Sequence, residues 1–132
     1  MTRGELEARY GRYIVCLNER RLDDAEAFYA EELLYNGRRI NRGRWRREAI
    51  EDSFVAMPDL QWHIEHLVIE GGHVAARLRD TGTLEKPFQG VKPTGHPTSF
   101  TENVFYRFRE NGRTDEVWSV IDLAAMASNA NR

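Results

Sequence analysis

Two acidic residues in the last third of the sequence stand among aromatic and aliphatic neighbours. Glu102 and Asp122 each belong to a run with large apolar residues at every second position; these are Phe100, Val104, Tyr106 and Phe108 around Glu102, and Trp118 and Val120 before Asp122. Surroundings that withhold water raise the pKa of a carboxyl group, so that it can act as a general acid or base near neutral pH. We therefore predict that Asp122 and Glu102 transfer protons. In the alternative, Asp122 only caps the turn or helix after its strand, and Glu102 pairs with an arginine.

One long β-hairpin is predicted to position both acids. Segments 98–109 and 113–122 alternate in the manner of β-strands, and Asn111-Gly112 between them favours a tight turn. Counted back from such a turn, Glu102 lies opposite Val120 and Phe100 lies opposite Asp122, provided that the register does not slip. The predicted inner face of the second strand therefore carries Glu116, Trp118, Val120 and Asp122.

The preceding segments indicate an α+β fold. Apolar spacing predicts helices over 5–18, 22–30 and 46–57, a hairpin over 31–41 turned at Asn36-Gly37, strands over 61–70 and 73–84, and a loop over 86–97 of a length that often covers a site. We expect one domain over 1–132, in which a cone-shaped, strongly curved antiparallel sheet wraps around the N-terminal helices. The open end of such a cone would hold an apolar pocket.

Composition limits the classes of partner. The chain has 132 residues with 41% hydrophobic residues, 30% charged residues and a net charge of -2, which favours neither nucleic acid nor an anionic membrane. The single cysteine, Cys16, lies in an apolar run and is expected to be a buried thiol in a reducing compartment. No segment has the length of a membrane span or the pattern of a signal peptide. We therefore expect a cytoplasmic protein with no membrane partner.

Histidines and arginines supply the remaining polar candidates. His66 shares one face of its predicted strand with Trp62, and we consider it a candidate acid or base. A histidine that forms a hydrogen bond with a backbone group is the more common case. No two of the four histidines have i, i+4 spacing, so no metal site is expected. Six arginines lie between Arg38 and Arg47. We interpret them as a solvated or partner-paired surface and not as a nucleic-acid site.

Several short motifs lie between residues 56 and 122. They are Val74-Ala-Ala-Arg77, Thr81-Gly-Thr83, Phe88-Gln-Gly90, Pro93-Thr-Gly95, Phe100, Arg107, Asn111-Gly112 and the ending Trp118-x-x-x-Asp122, with Ala56-Met-Pro-Asp-Leu60 after the third helix. Together they resemble the SnoaL-like polyketide cyclases of the nuclear-transport-factor-2-like superfamily, and the resemblance covers residues from about 20 to 125.

The resemblance implies a cofactor-free intramolecular aldol condensation of a polyketide ester. Asp122 matches the family's aspartate, which removes a proton from a carbon beside a carbonyl. The implied pocket for a small hydrophobic substrate is lined by Trp118, Tyr106, Phe100, Phe88 and Trp62, with Glu102, Asn36 and His66 as polar partners. The chain departs from the family pattern at Val117 and Ile121, where many members carry a histidine and an aromatic residue, and at Glu102, where relatives often have a histidine.

Related folds support other activities, so the resemblance leaves alternatives open. These are an isomerase, a dehydratase, an epoxide hydrolase, and a non-catalytic module for ligand binding or dimerisation. An epoxide hydrolase needs an aspartate and an arginine on the same side, whereas Arg79 and Asp80 are adjacent on one strand and face opposite ways. The outer face of an open curved sheet predicts a homodimer.

Overall fold

The computed structural model describes residues 1–130, which form five α-helices, one π-helical segment and a six-stranded sheet. In chain order the elements are α1 (Arg3–Asn18), α2 (Leu22–Glu26), β1 (Tyr29–Tyr35), β2 (Arg38–Asn41), α3 (Arg42–Trp45), the π-helical segment (Arg46–Glu51), α4 (Asp52–Ala56), β3 (Gln61–Glu70), β4 (His73–Thr83), β5 (Pro97–Phe108), β6 (Thr114–Ile121) and α5 (Leu123–Asn129). The predicted α+β fold is confirmed.

The sheet is curved and open, and its strand order is β2-β1-β6-β5-β4-β3. Neighbouring strands run antiparallel except β1 and β6, which run parallel. The expectation of a purely antiparallel sheet is therefore wrong for this pair. The reason is that the β5–β6 hairpin places β6 between β5 and β1. There β6 runs in the same direction as β1.

Helix α1 fills the concave side of the sheet. Thr2 caps its first turn and exchanges hydrogen bonds with Glu5 in a capping box. Its buried residues recur at three- and four-residue spacing, as predicted, and include Leu6, Tyr10, Tyr13, Ile14 and Leu17. Cys16 is also buried, as expected. The helix therefore presents tyrosine and aliphatic side chains to the interior of the cone.

A continuous helical segment from Arg42 to Ala56 lies over the open end of the cone. It begins four residues earlier than predicted, because Asn41 accepts a hydrogen bond from the backbone of Arg44 and caps it. Its interior residue Trp45 stacks on Tyr29 with the ring centroids 3.7 Å apart. The segment thereby closes one side of the cavity described below.

A β-bulge in the last hairpin reverses the predicted faces of β6. Arg107 pairs with Glu116 but Phe108 pairs with Thr114, so Asp115 is an extra residue on β6. Beyond it Glu102 lies opposite Ile121, one residue away from the predicted register. A one-residue slip moves every side chain to the other face of the sheet, so the inner face carries Val117, Ser119 and Ile121, while Trp118 and Val120 point outward.

A second bulge changes the face of β3. Ile64 pairs with Leu78 and His66 pairs with Arg77, which leaves Glu65 as the extra residue. Trp62, before the bulge, is buried, whereas His66, after it, is exposed. The prediction that His66 shares an inward face with Trp62 is therefore wrong, because simple alternation does not continue through a bulge.

Candidate active site

The curved sheet encloses a narrow cavity, called here the inner chamber, with a volume of about 70 Å³. Helix α1 supplies Tyr13, Ile14 and Leu17 to its wall, and the sheet supplies the facing side chains, among them Trp62, Asp80 and Glu102. The inner chamber adjoins a wider space of about 250 Å³, called here the mouth, and the two share Tyr35, Trp45, Ala49, Ser53, Phe88, Ser119 and Ile121. The site is therefore a funnel that narrows toward the carboxyl groups.

Asp80 and Glu102 lie together in the inner chamber on the neighbouring strands β4 and β5. Asp80 pairs with Phe100 and Leu78 pairs with Glu102, so the two acids are diagonal neighbours on the same face of the sheet. Asp80 retains 2% of its exposure and Glu102 retains 9%. Two neighbouring acids that are removed from water cannot both remain ionised at low cost, so the pair is expected to share one proton.

Within this pair, Glu102 accepts hydrogen bonds from two other side chains. The indole Nε1–H of Trp62 donates to its Oε1 at 2.7 Å, and the hydroxyl of Ser119 donates to its Oε2 at 3.2 Å. Asn18 fixes Trp62 in turn, since its side chain exchanges two hydrogen bonds of 2.8 Å with the backbone of that residue. Trp62 and Ser119 therefore direct one donor at each oxygen of Glu102.

Asp80 is the protonated member of the pair. Burial, followed by the charge of Glu102 and a hydrogen bond to it, raises the pKa of Asp80 far above its usual range. Among the described residues, Oδ1 of Asp80 is the buried side-chain atom without a hydrogen-bond partner. Such an atom is costly to leave unpaired inside a protein, and here it lines the chamber that a substrate would enter.

Aromatic side chains form the wall, and four of the predicted pocket residues lie in it: Trp62, Phe88, Phe100 and Tyr106. Tyr106 accepts a hydrogen bond from Tyr10, and Tyr13 shares one with Tyr29. Burial raises the pKa of Tyr106, Tyr13 and Tyr29, which stay neutral at physiological pH. The wall therefore excludes water without adding charge.

Two tight turns shape the mouth. Asn36 and Gly37 both have positive φ angles, which matches the predicted β1–β2 turn. Asn36 lines the mouth, and its side chain forms hydrogen bonds with the backbone of Ser119. In the predicted loop, Gln89 and Gly90 also have positive φ angles and connect Phe88 to Val91, which are joined by two backbone hydrogen bonds. This turn places Phe88 at the boundary between mouth and inner chamber.

Three predicted site residues lie outside the funnel. Asp122 is exposed, and its Oδ1 accepts a hydrogen bond from the backbone of Ala125 as the cap of α5. Trp118 is on the outer face of β6, and His66 is exposed after the bulge in β3. The predicted placement of all three in the pocket is therefore wrong, and the bulges at Asp115 and Glu65 are the physical reason. Catalysis by Asp122 stays a prediction, and the geometry favours Asp80 and Glu102.

Sequence reasoning missed Asp80, Ser119 and Tyr35 as site residues. The alternation of β4 places Asp80 on the same face as Val74, Ala76 and Leu78, so an acid at the end of an apolar face was the available indication. Ser119 could not be found, because its position on the inner face depends on the bulge at Asp115. Nothing in the sequence indicated that Tyr35 belongs to the site, apart from its place at the end of a predicted strand.

Other kinds of site find little support in the described part of the chain. Residues 1–130 contain no cluster of three metal-ligating side chains, and no helix among them is long and apolar enough to cross a membrane. In the arginine cluster, Arg46 pairs with Asp23, Glu26 and Glu51, and Arg44 pairs with Glu48. These two arginines are therefore paired with acids of the same chain.

The curved sheet and helix α1 enclose a buried pair of carboxyl groups in an α+β fold. The family model of the SnoaL-like polyketide cyclases matches residues 7–129, so the chain belongs to this family. A SnoaL-like polyketide cyclase from Agrobacterium tumefaciens is 30% identical, with a TM-score of 0.86 and coverage of 93% of this chain and 95% of that one.

More distant structures share the fold. IdmH from Streptomyces antibioticus is 22% identical, with a TM-score of 0.83 and coverage of 96% of this chain and 99% of that one. AclR from Streptomyces galilaeus is 23% identical, with a TM-score of 0.83 and coverage of 98% of both chains. The search of curated proteins found no significant match.

Proposed function

We propose that this protein is a polyketide or ester cyclase that closes a ring by intramolecular aldol condensation without a cofactor. The observation that carries the proposal is the buried pair of Asp80 and Glu102 at the bottom of an aromatic funnel. One protonated and one ionised carboxyl group supply an acid and a base at the same pH. The substrate would be a small hydrophobic compound with an enolisable carbonyl group.

In the first proposed step, Glu102 is the base. It takes a proton from the carbon beside a carbonyl group, the C–H bond breaks, and its electron pair becomes part of an enolate. Asp80 supports the developing charge nearby, since a neutral acid can donate a hydrogen bond in a dry site. Membership of the family supports this reaction class.

In the second proposed step, the enolate carbon attacks another carbonyl carbon of the same molecule. A C–C bond forms, and the resulting alkoxide takes the proton of Asp80. The proton that Glu102 gained then passes to Asp80, which restores the starting state. The narrow chamber contributes by holding a flexible chain in a folded conformation in which the reacting carbons meet.

The test uses linear poly-β-keto N-acetylcysteamine thioesters of increasing chain length, with cyclised products separated by liquid chromatography and identified by mass spectrometry. The wild-type protein should accelerate ring closure. Glu102→Gln should lower the rate by about 10² or more, the usual contribution of a general base. Asp122→Asn is the matched control, because it changes an exposed carboxyl group and keeps a capping side chain.

The two variants separate the two assignments of the base. Full turnover in Asp122→Asn with loss in Glu102→Gln supports the buried pair. The reverse result would return the base to Asp122, as the family resemblance implies. No acceleration by the wild-type protein with any chain length would remove the cyclase proposal itself.

The alternatives have less support. No arginine lines the inner chamber in the described part of the chain, and Arg79 pairs on the outer face with Glu65 at 2.7 Å, which does not favour an epoxide hydrolase. A purely structural module would have no reason to keep Asp80 buried without a partner for Oδ1.

The proposal also includes a homodimer in the cytoplasm. Its support is an apolar patch on the outer face of the sheet, where Phe105 is 61% exposed and Val120 is 71% exposed, beside Trp118. A single buried thiol also fits a reducing compartment. Light scattering of the wild-type protein and of Val120→Arg should show a dimer and a monomer, respectively.

A further inference from the structure

Tyr35 occupies the junction between the mouth and the inner chamber. It is the last residue of β1, immediately before the Asn36-Gly37 turn, and its backbone pairs with Val117 of β6. Its side chain lines both spaces. A ligand that extends from the mouth to the carboxyl pair must therefore pass Tyr35.

The hydroxyl of Tyr35 differs from the other tyrosine hydroxyls of the chain. Tyr10 bonds Tyr106, and Tyr13 bonds Tyr29, so these four hydroxyls have partners. Among residues 1–130, no hydrogen bond is made by the hydroxyl of Tyr35. Because Tyr35 is half-buried and lines both spaces, this hydroxyl is available to a ligand.

The surroundings keep Tyr35 a donor. Burial, followed by the nearby charge of Glu102, raises the pKa of Tyr35 to about 12. The phenol therefore retains its proton throughout the physiological range, and it can offer an O–H to an acceptor atom. The ionised Glu102 would repel a second carboxylate in the same dry space, which favours a neutral acceptor over an anion.

The size of the inner chamber limits what lies beyond Tyr35. A water molecule needs ~10–15 Å³ of cavity volume, so the 70 Å³ chamber accommodates about five to seven non-hydrogen atoms. The rest of a larger ligand must stay in the mouth. A ketone or ester group at one end of the ligand fits this division, with its oxygen at the junction and its adjacent carbon inside.

We propose that Tyr35 is the substrate-positioning residue of this site and that it donates a hydrogen bond to the carbonyl oxygen of a neutral ketone or ester whose adjacent carbon faces Glu102. The inference rests on the proposed function and specifies the substrate class for the same site. It adds a residue that selects carbonyl compounds over hydrocarbons of the same shape.

The experiment removes the hydroxyl of Tyr35 from the protein and the carbonyl oxygen from the ligand, separately and together. The probes are 1-indanone, a ketone, and indane, which has the same ring system without the oxygen. Their dissociation constants are measured by quenching of tryptophan fluorescence with the wild-type protein and with Tyr35→Phe. Loss of one hydrogen bond should weaken the binding of 1-indanone about 5- to 10-fold, while the binding of indane stays unchanged.

Tyr10→Phe is the matched control. It also removes a hydroxyl from a buried tyrosine, but Tyr10 does not line the inner chamber and its hydroxyl already donates a hydrogen bond to Tyr106. This variant should lower the unfolding midpoint and keep the wild-type preference for 1-indanone over indane. An unfolding curve for each variant establishes that it is folded at the temperature of the binding measurement.

Three results would overturn the inference: equal weakening of both probes by Tyr35→Phe, no weakening of 1-indanone, or no saturable binding of 1-indanone to the wild-type protein. The measurement requires no turnover. If the thioesters are not cyclised but Tyr35→Phe still weakens the binding of 1-indanone and not that of indane, the cyclase proposal fails and the positioning role of Tyr35 stands.

Discussion

Two tryptophan–glutamate pairs lie on opposite faces of the same sheet. On the inner face, Nε1 of Trp62 donates to Glu102 at 2.7 Å, and both residues are buried. On the outer face, Nε1 of Trp118 donates to Glu116 at 3.2 Å, and Trp118 is 44% exposed. The groups and the type of hydrogen bond are the same, so the depth of burial is what distinguishes the two pairs.

Burial changes the chemistry of a carboxyl group because water no longer competes for its hydrogen bonds. Helix α1 and the segment from Arg42 to Ala56 cover the inner pair, whereas Trp118 of the outer pair remains 44% exposed. In the dry interior, a neighbouring acid such as Asp80 must keep its proton, and each hydrogen bond to Glu102 becomes harder to replace. An aromatic residue beside an acid in the sequence is therefore insufficient evidence of a reactive carboxyl group.

The largest expected effect is on the pH dependence of stability. The folded protein keeps the proton of Asp80 above about pH 4, where the same group ionises in the unfolded chain. The folded state then binds one proton more, so the free energy of unfolding should fall as the pH rises, by ~1.4 kcal/mol per pH unit. Asp80→Asn should remove this slope between pH 5 and pH 8, as measured by urea unfolding.

Asp122→Asn serves as the comparison, since it changes an acid in solvent, and it should keep the wild-type slope. A wild-type protein whose stability does not change over this pH range would show that the carboxyl pair shares no proton. The inner and outer acids would then differ in position alone.

The next effect compares the two tryptophans directly. Trp62→Phe removes the donor to a buried carboxylate and should lower the free energy of unfolding by ~1–3 kcal/mol, in addition to the cost of the smaller ring. Trp118→Phe removes the donor of the exposed pair and should change it by less than ~0.5 kcal/mol. Denaturant unfolding of the two variants at one pH makes the comparison, and equal losses would contradict the role assigned to burial.

The smallest effect concerns Asp122 as a helix cap. Asp122→Ala leaves the backbone of Ala125 without its partner and should lower the free energy of unfolding by ~1 kcal/mol. Asp122→Asn should restore most of the loss, because asparagine caps as well as aspartate does. If the alanine variant is as stable as the wild type, the capping bond contributes nothing, and the exposed Asp122 needs another explanation.

Local patterns in the sequence were sufficient for the type and order of the elements. The buried spacing of α1, the Asn36-Gly37 turn and the alternation of β4 and β5 follow from contacts between near neighbours in the chain. The same patterns placed Phe100, Glu102 and Tyr106 on one inward face, and this placement is confirmed.

The faces of β3 and β6 followed from tertiary structure alone. The extra residues of their bulges form ion pairs outside their own strands: Glu65 pairs with Arg77 and Arg79 of β4, and Asp115 pairs with Arg107 of β5 and with Arg109 just after β5. An extra residue in a strand shifts the alternation of the side chains beyond it, and the sequence does not show where the extra residue lies.

The sequence by itself therefore determined the family, the fold class and one half of the carboxyl pair. Tertiary structure decided that Asp80 is the other half, that Asp122 lies in solvent, and that Tyr35 stands between the two spaces of the site. The physical reason is that alternation along a strand is a local property, whereas the register between strands and the depth of burial depend on the whole fold.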